Sequence, residues 1–260
     1  MNRWPDDWIT PDWPAPLHVR ACVTTRNEGL SQPPFDSFNL GDHVGDDPAA
    51  VMANRQRLRN FLGCEPAWLS QVHSAKTVQA DPALVPIADA SWTDATGIAC
   101  TVLTADCLPV LFCNRAGTRV AAAHAGWRGL ASGMLESTVA AMQSPGEQLL
   151  VWLGPAIGPD AFEVGPEVRE AFIEQHAVAA EAFRPSPNAG RYMADLYHLA
   201  RIHLAACGVT AVFGGELCTF SDPRFYSYRR TARTARTGRF ASLIWIDKSS
   251  GKLQASSCKP

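Results

Sequence analysis

The sequence predicts an α+β fold formed by a single domain. Apolar, β-branched runs of strand length lie close together in the first half of the chain, as at 97–104 and 108–113. Segments with helical periodicity form separate blocks and do not alternate regularly with these runs. Regular alternation would favour a parallel α/β sheet, so the observed order favours α+β. The 260 residues, 47% of them hydrophobic, are enough for an extensive core.

The N-terminal region is predicted to contain a surface segment followed by the first strand. Residues 1–16 are rich in Trp and Pro, and we expect them to lie on the surface, ahead of a single domain spanning 17–260. Residues 17–26 alternate in polarity and contain several β-branched side chains. That pattern is typical of a strand.

The clearest helix signal lies in 45–63. Asp46 or Asp47 would cap the helix, Pro48 would lie in its first turn, and Gly63 would end it. After this helix, apolar runs predict four strands, at 67–74, 97–104, 108–113 and 118–125.

The second half of the chain contains the remaining helices and the last strands. The residues after the fourth of these strands predict a helix over 126–142, and Asp195 and Gly208 would begin and end another helix. Helical and strand-like runs predict the following elements: a strand at 148–154, helices at 165–176 and 195–208, and strands at 209–215 and 240–246.

Composition excludes several classes of protein. The formal net charge of −2 provides no general attraction to nucleic acid or anionic lipid, so we expect neither partner. No run of 18 apolar residues exists, and the acidic, Pro-rich N-terminus does not resemble a signal peptide. The eight cysteines are dispersed without a CxxC pair, which argues against a disulfide framework. We therefore expect a cytoplasmic protein.

Three side chains form a candidate metal site. His73, Cys107 and His124 each lie at the end of a predicted strand, where a sheet can bring distant positions together. Two histidines, one cysteine and an open fourth position are typical of a catalytic zinc site. The spacings of 34 and 17 residues match no zinc-finger pattern, so a core or surface role for each histidine stays open at this level.

Two polar residues accompany the candidate ligands. Asp106 directly precedes Cys107, and it is interpreted as an acceptor for a ligating histidine, as a proton shuttle, or as a turn residue between strands. Gln71 precedes His73 by two residues, so on a strand both side chains would share one face. Gln71 could then orient a substrate.

Two segments are candidates for anion binding. Gly126 and Gly129 would let the backbone approach a ligand near a helix start, and Arg128 adds a charged donor. A packing turn with a surface arginine is the alternative. Farther along the chain, five arginines lie within eleven residues, at Arg229, Arg230, Arg233, Arg236 and Arg239. We expect Arg229 and Arg230 to face a phosphate or substrate, although a solvated loop explains the pattern as well.

Seven segments in a fixed order carry a resemblance to a known family. They are QVHSA, TADCLPVLF, AAAHAGWRGL, GPAIGP, FEVG, FYSYRR and TGRFASLIWI. From about residue 20 to about residue 246, the chain resembles the YfiH-like family, also called the laccase-domain, polyphenol-oxidase or peptidoglycan editing factor family. It departs from many members at Asp160–Ala161, where they carry a cysteine pair, and in a longer arginine loop over 230–237.

The resemblance implies a compact α+β fold with layered sheets and helices. It also implies one zinc ion held by His73, Cys107 and His124. From the residues, we take these three side chains and Asp106 as the candidate catalytic centre. The implied activities are phosphorolysis of adenosine, inosine and methylthioadenosine and deamination of adenosine, so the partners would be purine nucleosides and phosphate. We expect the protein to be a monomer.

Other interpretations of the same residues remain. A multicopper oxidase needs several further histidines beyond a His₂Cys centre, whereas this chain has seven histidines and no His-x-His pair. A single copper ion in place of zinc is compatible with the ligands. In an amidase that edits peptidoglycan precursors, Cys107 would be the nucleophile and His124 its base. A non-enzymatic protein with structural zinc would need a fourth protein ligand, such as His43 or Cys113.

Overall fold

The structure is a computed structural model that describes residues 4–231 and 236–247. Two β-sheets stacked face to face form its centre. The first sheet has four strands, in the spatial order β1 (Val19–Val23), β13 (Phe240–Ile246), β5 (Ile98–Thr104) and β2 (Glu65–Ala67). The second has six, in the order β12 (Ala211–Gly214), β8 (Leu149–Leu153), β6 (Leu108–Asn114), β7 (Val120–Ala125), β4 (Ala90–Thr93) and β3 (Thr77–Gln79). Both sheets contain parallel and antiparallel pairs, so they are mixed.

Helices cover the outer faces of this sandwich. They are α1 (Pro48–Leu62), α2 (Trp127–Ala131), α3 (Met134–Met142), α4 (Pro166–Ile173) and α5 (Leu196–Ala206), with short 3-10 helices at Gly146–Gln148 and Ala177–Ala182. A small sheet contains β10 (Phe183–Pro185), β11 (Tyr192–Ala194) and β9 (Glu163–Val164) in that order. The predicted α+β class is confirmed.

Three apolar clusters separate the layers. Alternate residues of each strand point to opposite faces of its sheet, so each sheet contributes to two clusters. Val102 and Ile244 of the four-stranded sheet meet Leu111 and Trp152 of the six-stranded sheet in the central cluster. The outer face of the six-stranded sheet packs against α2 to α5, and that of the four-stranded sheet packs against α1.

The helix signals read from the sequence are confirmed at both ends of α1 and α5. The Asp47 side chain accepts a hydrogen bond from the amide of Ala49 at 3.0 Å, and Gly63 ends α1 with φ of 66°. Asp195 caps α5 by accepting from the amides of Tyr197 and His198. These caps are local features, which explains why the sequence was sufficient to locate them.

Two predicted elements are wrong in extent. The predicted strand at 67–74 ends at Ala67, and only an isolated bridge between Ser70 and Ile87 continues it. His73 has φ of 62°, which no strand residue adopts. The predicted helix over 126–142 breaks at Gly133, whose φ of 90° separates α2 from α3.

The N-terminal segment contributes to the core. Trp8 is only 5% exposed and contacts Trp4, Phe38 and Phe61. Ile9 pairs with Val23 of β1 through backbone hydrogen bonds. The division of the chain at residue 16 stays a prediction, but part of this segment is buried.

The described residues also bear on the excluded classes. No helix within 4–231 or 236–247 combines the length and the apolar character needed to cross a bilayer. Within these ranges the cysteines are not joined in disulfides, and Cys258 lies outside the described residues.

Candidate active site

A cavity of about 370 Å³ opens where β5, β6 and β7 end or begin. The antiparallel register of β6 and β7 pairs Leu108 with Ala125 and Pro109 with His124. Cys107, directly before β6, therefore lies next to His124, near the end of β7. The loop after β2 brings His73 to the same place, so all three side chains line the cavity.

The three candidate metal ligands converge, as the sequence led us to expect. One ligand atom from each of His73, Cys107 and His124 lies within 4.8 Å of the other two. Sγ of Cys107 is 3.7 Å from Nε2 of His73, and the two imidazole rings have centroids 4.8 Å apart. His124 is buried, Cys107 half-buried and His73 exposed, so the group faces the cavity from its wall.

Asp89 holds this group together, and sequence reasoning missed it. The side chain is fully buried and accepts a 2.9 Å hydrogen bond from Nδ1 of His124. It also accepts from the amides of Val72, His73 and Ser74, and from the Ser74 hydroxyl. Because Nδ1 is engaged, Nε2 of His124 is left free for a ligand. The only sequence signal was a lone carboxylate between alanines ahead of a short strand.

The electrostatics of the group favour a thiolate. Burial alone would raise the pKa of Cys107, but the neighbouring His124 and His73 outweigh it and lower that pKa to about 6. Burial would likewise lower the pKa of His124, yet Cys107 and Asp89 raise it to about 9. Burial would raise the pKa of Asp89, whereas hydrogen bonds from His124 and Ser74 bring it down to about 2. Near neutral pH, without a metal, Cys107 and His124 therefore form a thiolate–imidazolium pair.

Gly126 is required by close packing at the ligands. A Cβ at this position would lie 2.8 Å from Sγ of Cys107 and 2.9 Å from Cδ2 of His73. A Cβ on Gly129 would lie 3.0 Å from the carbonyl oxygen of Ser74. Both glycines are therefore packed closely against the loop that carries His73 and Ser74. The sequence predicts that Gly126 and Gly129 let a ligand approach the backbone near a helix start. This role stays a prediction, because α2 has only five residues.

Asp106 does not accept a hydrogen bond from a candidate ligand, which corrects one of its three interpretations. Its carboxylate accepts 2.6 Å hydrogen bonds from the Thr219 hydroxyl and the Arg229 amide. Asp106 also has φ of 99°, so the chain departs from a regular strand at this residue. It lines the cavity next to Cys107, so a role in moving a proton stays a prediction.

Gln71 holds the edge of β5. Its amide nitrogen donates to the Leu103 carbonyl at 2.9 Å, and its amide oxygen accepts from the Leu103 amide at 2.8 Å. The side chain thus completes the strand edge where β2 has ended. The expectation that Gln71 and His73 share one face of a strand is wrong, although Gln71 still lines the cavity.

The predicted arginines have different roles. Arg128 is exposed, lines the cavity and stacks on Trp127 with its guanidinium carbon 4.3 Å from the ring centroid. Arg229 also lines the cavity, but its guanidinium donates to the carbonyl of Glu163 at 3.0 Å. Arg128 is therefore the arginine with more freedom to bind an anion.

Arg230 donates its side-chain hydrogen bonds to carbonyl groups close to it in sequence, which corrects the prediction that it binds substrate. Its guanidinium donates to the carbonyls of Thr219, Phe220, Asp222 and Phe225, and it does not line the cavity. Among the other loop arginines, Arg239 lines the cavity, Arg236 is exposed away from the lining, and Arg233 lies outside the described residues.

The rest of the lining is mainly apolar and aromatic. Trp127, Phe162 and Tyr228 contribute rings, and Leu103, Ile157 and Leu196 contribute aliphatic side chains. His43 also lines the cavity, but it does not belong to the metal-binding group, and Cys113 is buried in the central cluster. Among the described residues, neither provides the fourth ligand that a structural zinc would need.

Known proteins resemble this chain over almost its whole length. Residues 20–247 match a family model described as multi-copper polyphenol oxidoreductase laccase. A purine nucleoside phosphorylase of Pseudomonas aeruginosa is 67% identical over 240 residues, covering 92% of this chain and 98% of that protein. The purine nucleoside phosphorylase YfiH of Escherichia coli K12 is 52% identical over 243 residues, with coverage of 92% and 98%.

Solved structures agree with these matches. The crystal structure of a Neisseria meningitidis protein superposes with a TM-score of 0.89 at 52% identity, covering 93% of this chain and all of that one. YlmD of Geobacillus stearothermophilus gives a TM-score of 0.81 at 31% identity, with coverage of 89% and 93%. The family model, the relatives and the fold agree with the resemblance predicted from the sequence: this chain belongs to the YfiH-like, laccase-domain family.

Proposed function

We propose that this chain is a zinc-dependent purine nucleoside phosphorylase that also deaminates adenosine. The observation that carries the proposal is the convergence of His73, Cys107 and His124 on the wall of a cavity with aromatic lining. Support also comes from the names of the relatives, which are purine nucleoside phosphorylases. The proposed substrates are adenosine, inosine and methylthioadenosine, together with phosphate.

The donor set fits a zinc ion. His73, Cys107 and His124 would supply three of the four ligands that zinc usually takes, and the lowered pKa of Cys107 favours the ligating form of its thiol. Asp89 would orient His124, as carboxylates commonly do behind metal-bound histidines. When bound, the ion would supply Lewis acidity beside the purine. Copper is compatible with the same ligands.

For phosphorolysis, a phosphate oxygen must form a bond to ribose C1′ while the glycosidic bond breaks and the purine leaves with its electron pair. Arg128 would hold the phosphate, because its guanidinium is exposed at the cavity and makes no ion pair among the described residues. Trp127, Phe162 and Tyr228 would stack against the base or border it.

For deamination, water attacks purine C6 and ammonia leaves, so one proton must move from the water toward the amino group. Asp106 is the carboxylate that lines the cavity next to Cys107, and we assign it this proton transfer. Its hydrogen bonds from Thr219 and Arg229 would keep the carboxylate in place.

The test combines product identification with loss of the thiol. Wild-type protein incubated with adenosine and phosphate should release adenine and ribose 1-phosphate, and without phosphate it should still form inosine. Cys107→Ala should lose the metal held by His73, Cys107 and His124 and both activities. Cys207→Ala, which removes a half-buried thiol away from the cavity, is the matched control and should retain them. A Cys107→Ala variant that keeps full activity without metal at this site would end the proposal.

One observation favours a second candidate, a cysteine-dependent amidase acting on peptidoglycan precursors. The pKa of Cys107 is lowered and that of His124 is raised, which is the state of a nucleophilic thiolate with its imidazolium partner. The two candidates differ in their inhibitors. A chelator should abolish the nucleoside reactions, whereas an amidase would survive chelation and lose activity on thiol alkylation.

We further propose a cytoplasmic monomer that acts on small molecules and not on nucleic acid. The net charge of −2 supports the absence of a nucleic-acid partner. Sedimentation of the purified protein at several concentrations would give the oligomeric state, and a mass of two or more chains would contradict the monomer.

A further inference from the structure

A second cluster of ligand-type side chains lies among the helices on the outer face of the six-stranded sheet. It consists of Glu136 on α3, His176 just after α4, and His203 on α5. One ligand atom from each lies within 4.8 Å of the other two. None of the three lines the candidate active-site cavity, so the cluster is separate from it.

The central imidazole of this cluster lacks a partner on one side. His203 is fully buried, and its Nδ1 lies 2.6 Å from Oε1 of Glu136. Its Nε2 has no hydrogen-bond partner among the described residues, and neither does the buried Oε2 of Glu136. Buried polar atoms without partners are rare because each one destabilises the folded state. The unpartnered Nε2 of a fully buried histidine indicates a missing ligand.

The hydrogen bond from His203 to Glu136 prepares the imidazole for a metal. When Nδ1 donates its proton to a carboxylate, Nε2 carries the lone pair that a metal ion needs. The second imidazole is close, since the rings of His176 and His203 have centroids 5.0 Å apart and lie at 89° to each other. His176 is half-buried, which gives an ion a route from solvent.

We propose that His176 and His203 bind a divalent transition metal ion such as Zn²⁺, with Glu136 orienting His203 through Nδ1, at a site distinct from His73, Cys107 and His124. Imidazole is a common zinc ligand, and this site lacks the soft sulfur ligand of the first site. The ion supplies the partner that the buried Nε2 of His203 lacks. It links α5 to the segment after α4, and to α3 through the Glu136–His203 hydrogen bond, so its effect is on the stability of this helical layer.

The experiment isolates the second site by removing the thiol of the first. Chelator-treated Cys107→Ala protein is titrated with Co²⁺, followed by absorption, and then with Zn²⁺, followed by thermal melting. We expect one equivalent of Co²⁺ with d–d bands and no thiolate charge-transfer band. Saturating Zn²⁺ should raise the melting temperature by roughly 5 °C, the shift expected at a hundredfold excess over Kd.

Two double variants locate the binding. Adding His176→Ala, at a half-buried position, should abolish both the Co²⁺ bands and the melting shift. Adding His198→Ala, a histidine on the same helix as His203 but outside the cluster, should leave both unchanged. Glu136→Gln should weaken Co²⁺ affinity at least tenfold, because it removes the charge next to His203.

The outcomes separate this proposal from the proposed function. Absence of Co²⁺ binding in Cys107→Ala, or binding that survives His176→Ala, overturns the second site and leaves Glu136 and His203 as an ion pair only. Wild-type protein with two equivalents, one showing a thiolate band, supports both sites. A single equivalent without the thiolate band, lost in His176→Ala alone, supports the second site and contradicts the first.

Discussion

Replacing Asp89 by Asn tests whether this carboxylate organises the candidate metal site. Its two oxygens accept five hydrogen bonds, from His124, Val72, His73 and twice from Ser74. An Asn amide presents an NH₂ group to at least two of these donors, whichever way it is oriented. Each lost bond to a buried charged acceptor costs about 1.5–3 kcal/mol, so we expect a loss of about 3–6 kcal/mol in unfolding free energy.

The pH dependence has a definite sign. The pKa of Asp89 is lowered from 3.8 to about 2 in the folded protein. Its stabilisation is therefore complete above the unfolded value near 3.8 and is lost as the pH falls toward 2. In metal-free protein this contribution amounts to about 2 kcal/mol. Asp89→Asn removes it, so the stability of the variant should fall less steeply over this range than that of the wild type.

Urea denaturation gives the unfolding free energy at each pH, and competition with a chromophoric chelator gives the metal affinity. We expect metal affinity to fall by about 10–100-fold, because His124 loses its orienting partner. The matched control is Asp94→Asn, which breaks an exposed ion pair with Arg119 and should cost at most about 1 kcal/mol. A folded Asp89→Asn protein with wild-type metal affinity and wild-type acid sensitivity would refute the reasoning.

Three further variants test other parts of the site. Arg128→Ala should raise the KM for phosphate by about tenfold or more with little change in deamination, because one charge-assisted contact is lost; equal effects on both reactions would argue against a phosphate role. Arg230→Ala should lower the unfolding free energy by about 2–4 kcal/mol in denaturation experiments, since four carbonyl acceptors lose their donor. It should leave the KM of the folded fraction unchanged, and a raised KM would restore Arg230 to the binding site. Gly126→Ala should reduce metal affinity at least tenfold in the chelator competition, because the new Cβ would lie 2.8 Å from Sγ of Cys107; unchanged affinity would mean that the loop adjusts without cost.

Elements with local signals were predictable from the sequence. The ends of α1 and α5 follow from a capping Asp and a closing Gly, and strands β5 to β8 follow from apolar runs of strand length. Strands of two or three residues, such as β9 (Glu163–Val164), were missed because they are too short to show a periodicity. The break at Gly133 within the predicted helix was missed because a single glycine does not by itself end a helix.

The metal ligands could be proposed from residue type, but the residues that contact them could not. His73, Cys107 and His124 stood out because thiol and imidazole groups are rare enough to examine one by one. One of the three interpretations of Asp106 was a contact with a ligating histidine that Asp89 makes instead, from 35 positions away in the chain. The side chains of Gln71 and Arg230 are of a type that can bind a substrate. Both instead form hydrogen bonds with backbone groups of the protein. Which buried donor meets which acceptor depends on the packing of distant segments.

By itself, the sequence determined the α+β class, the order of the main elements and the three side chains that could hold a metal. These follow from hydrophobic periodicity, capping residues and intrinsic ligand chemistry, which act locally. Only the tertiary structure decided that Asp89 supports the site, that Arg230 is unavailable, and that Glu136, His176 and His203 meet. Those facts arise when two stacked sheets and their covering helices bring together residues far apart in the chain, and no local pattern encodes such contacts.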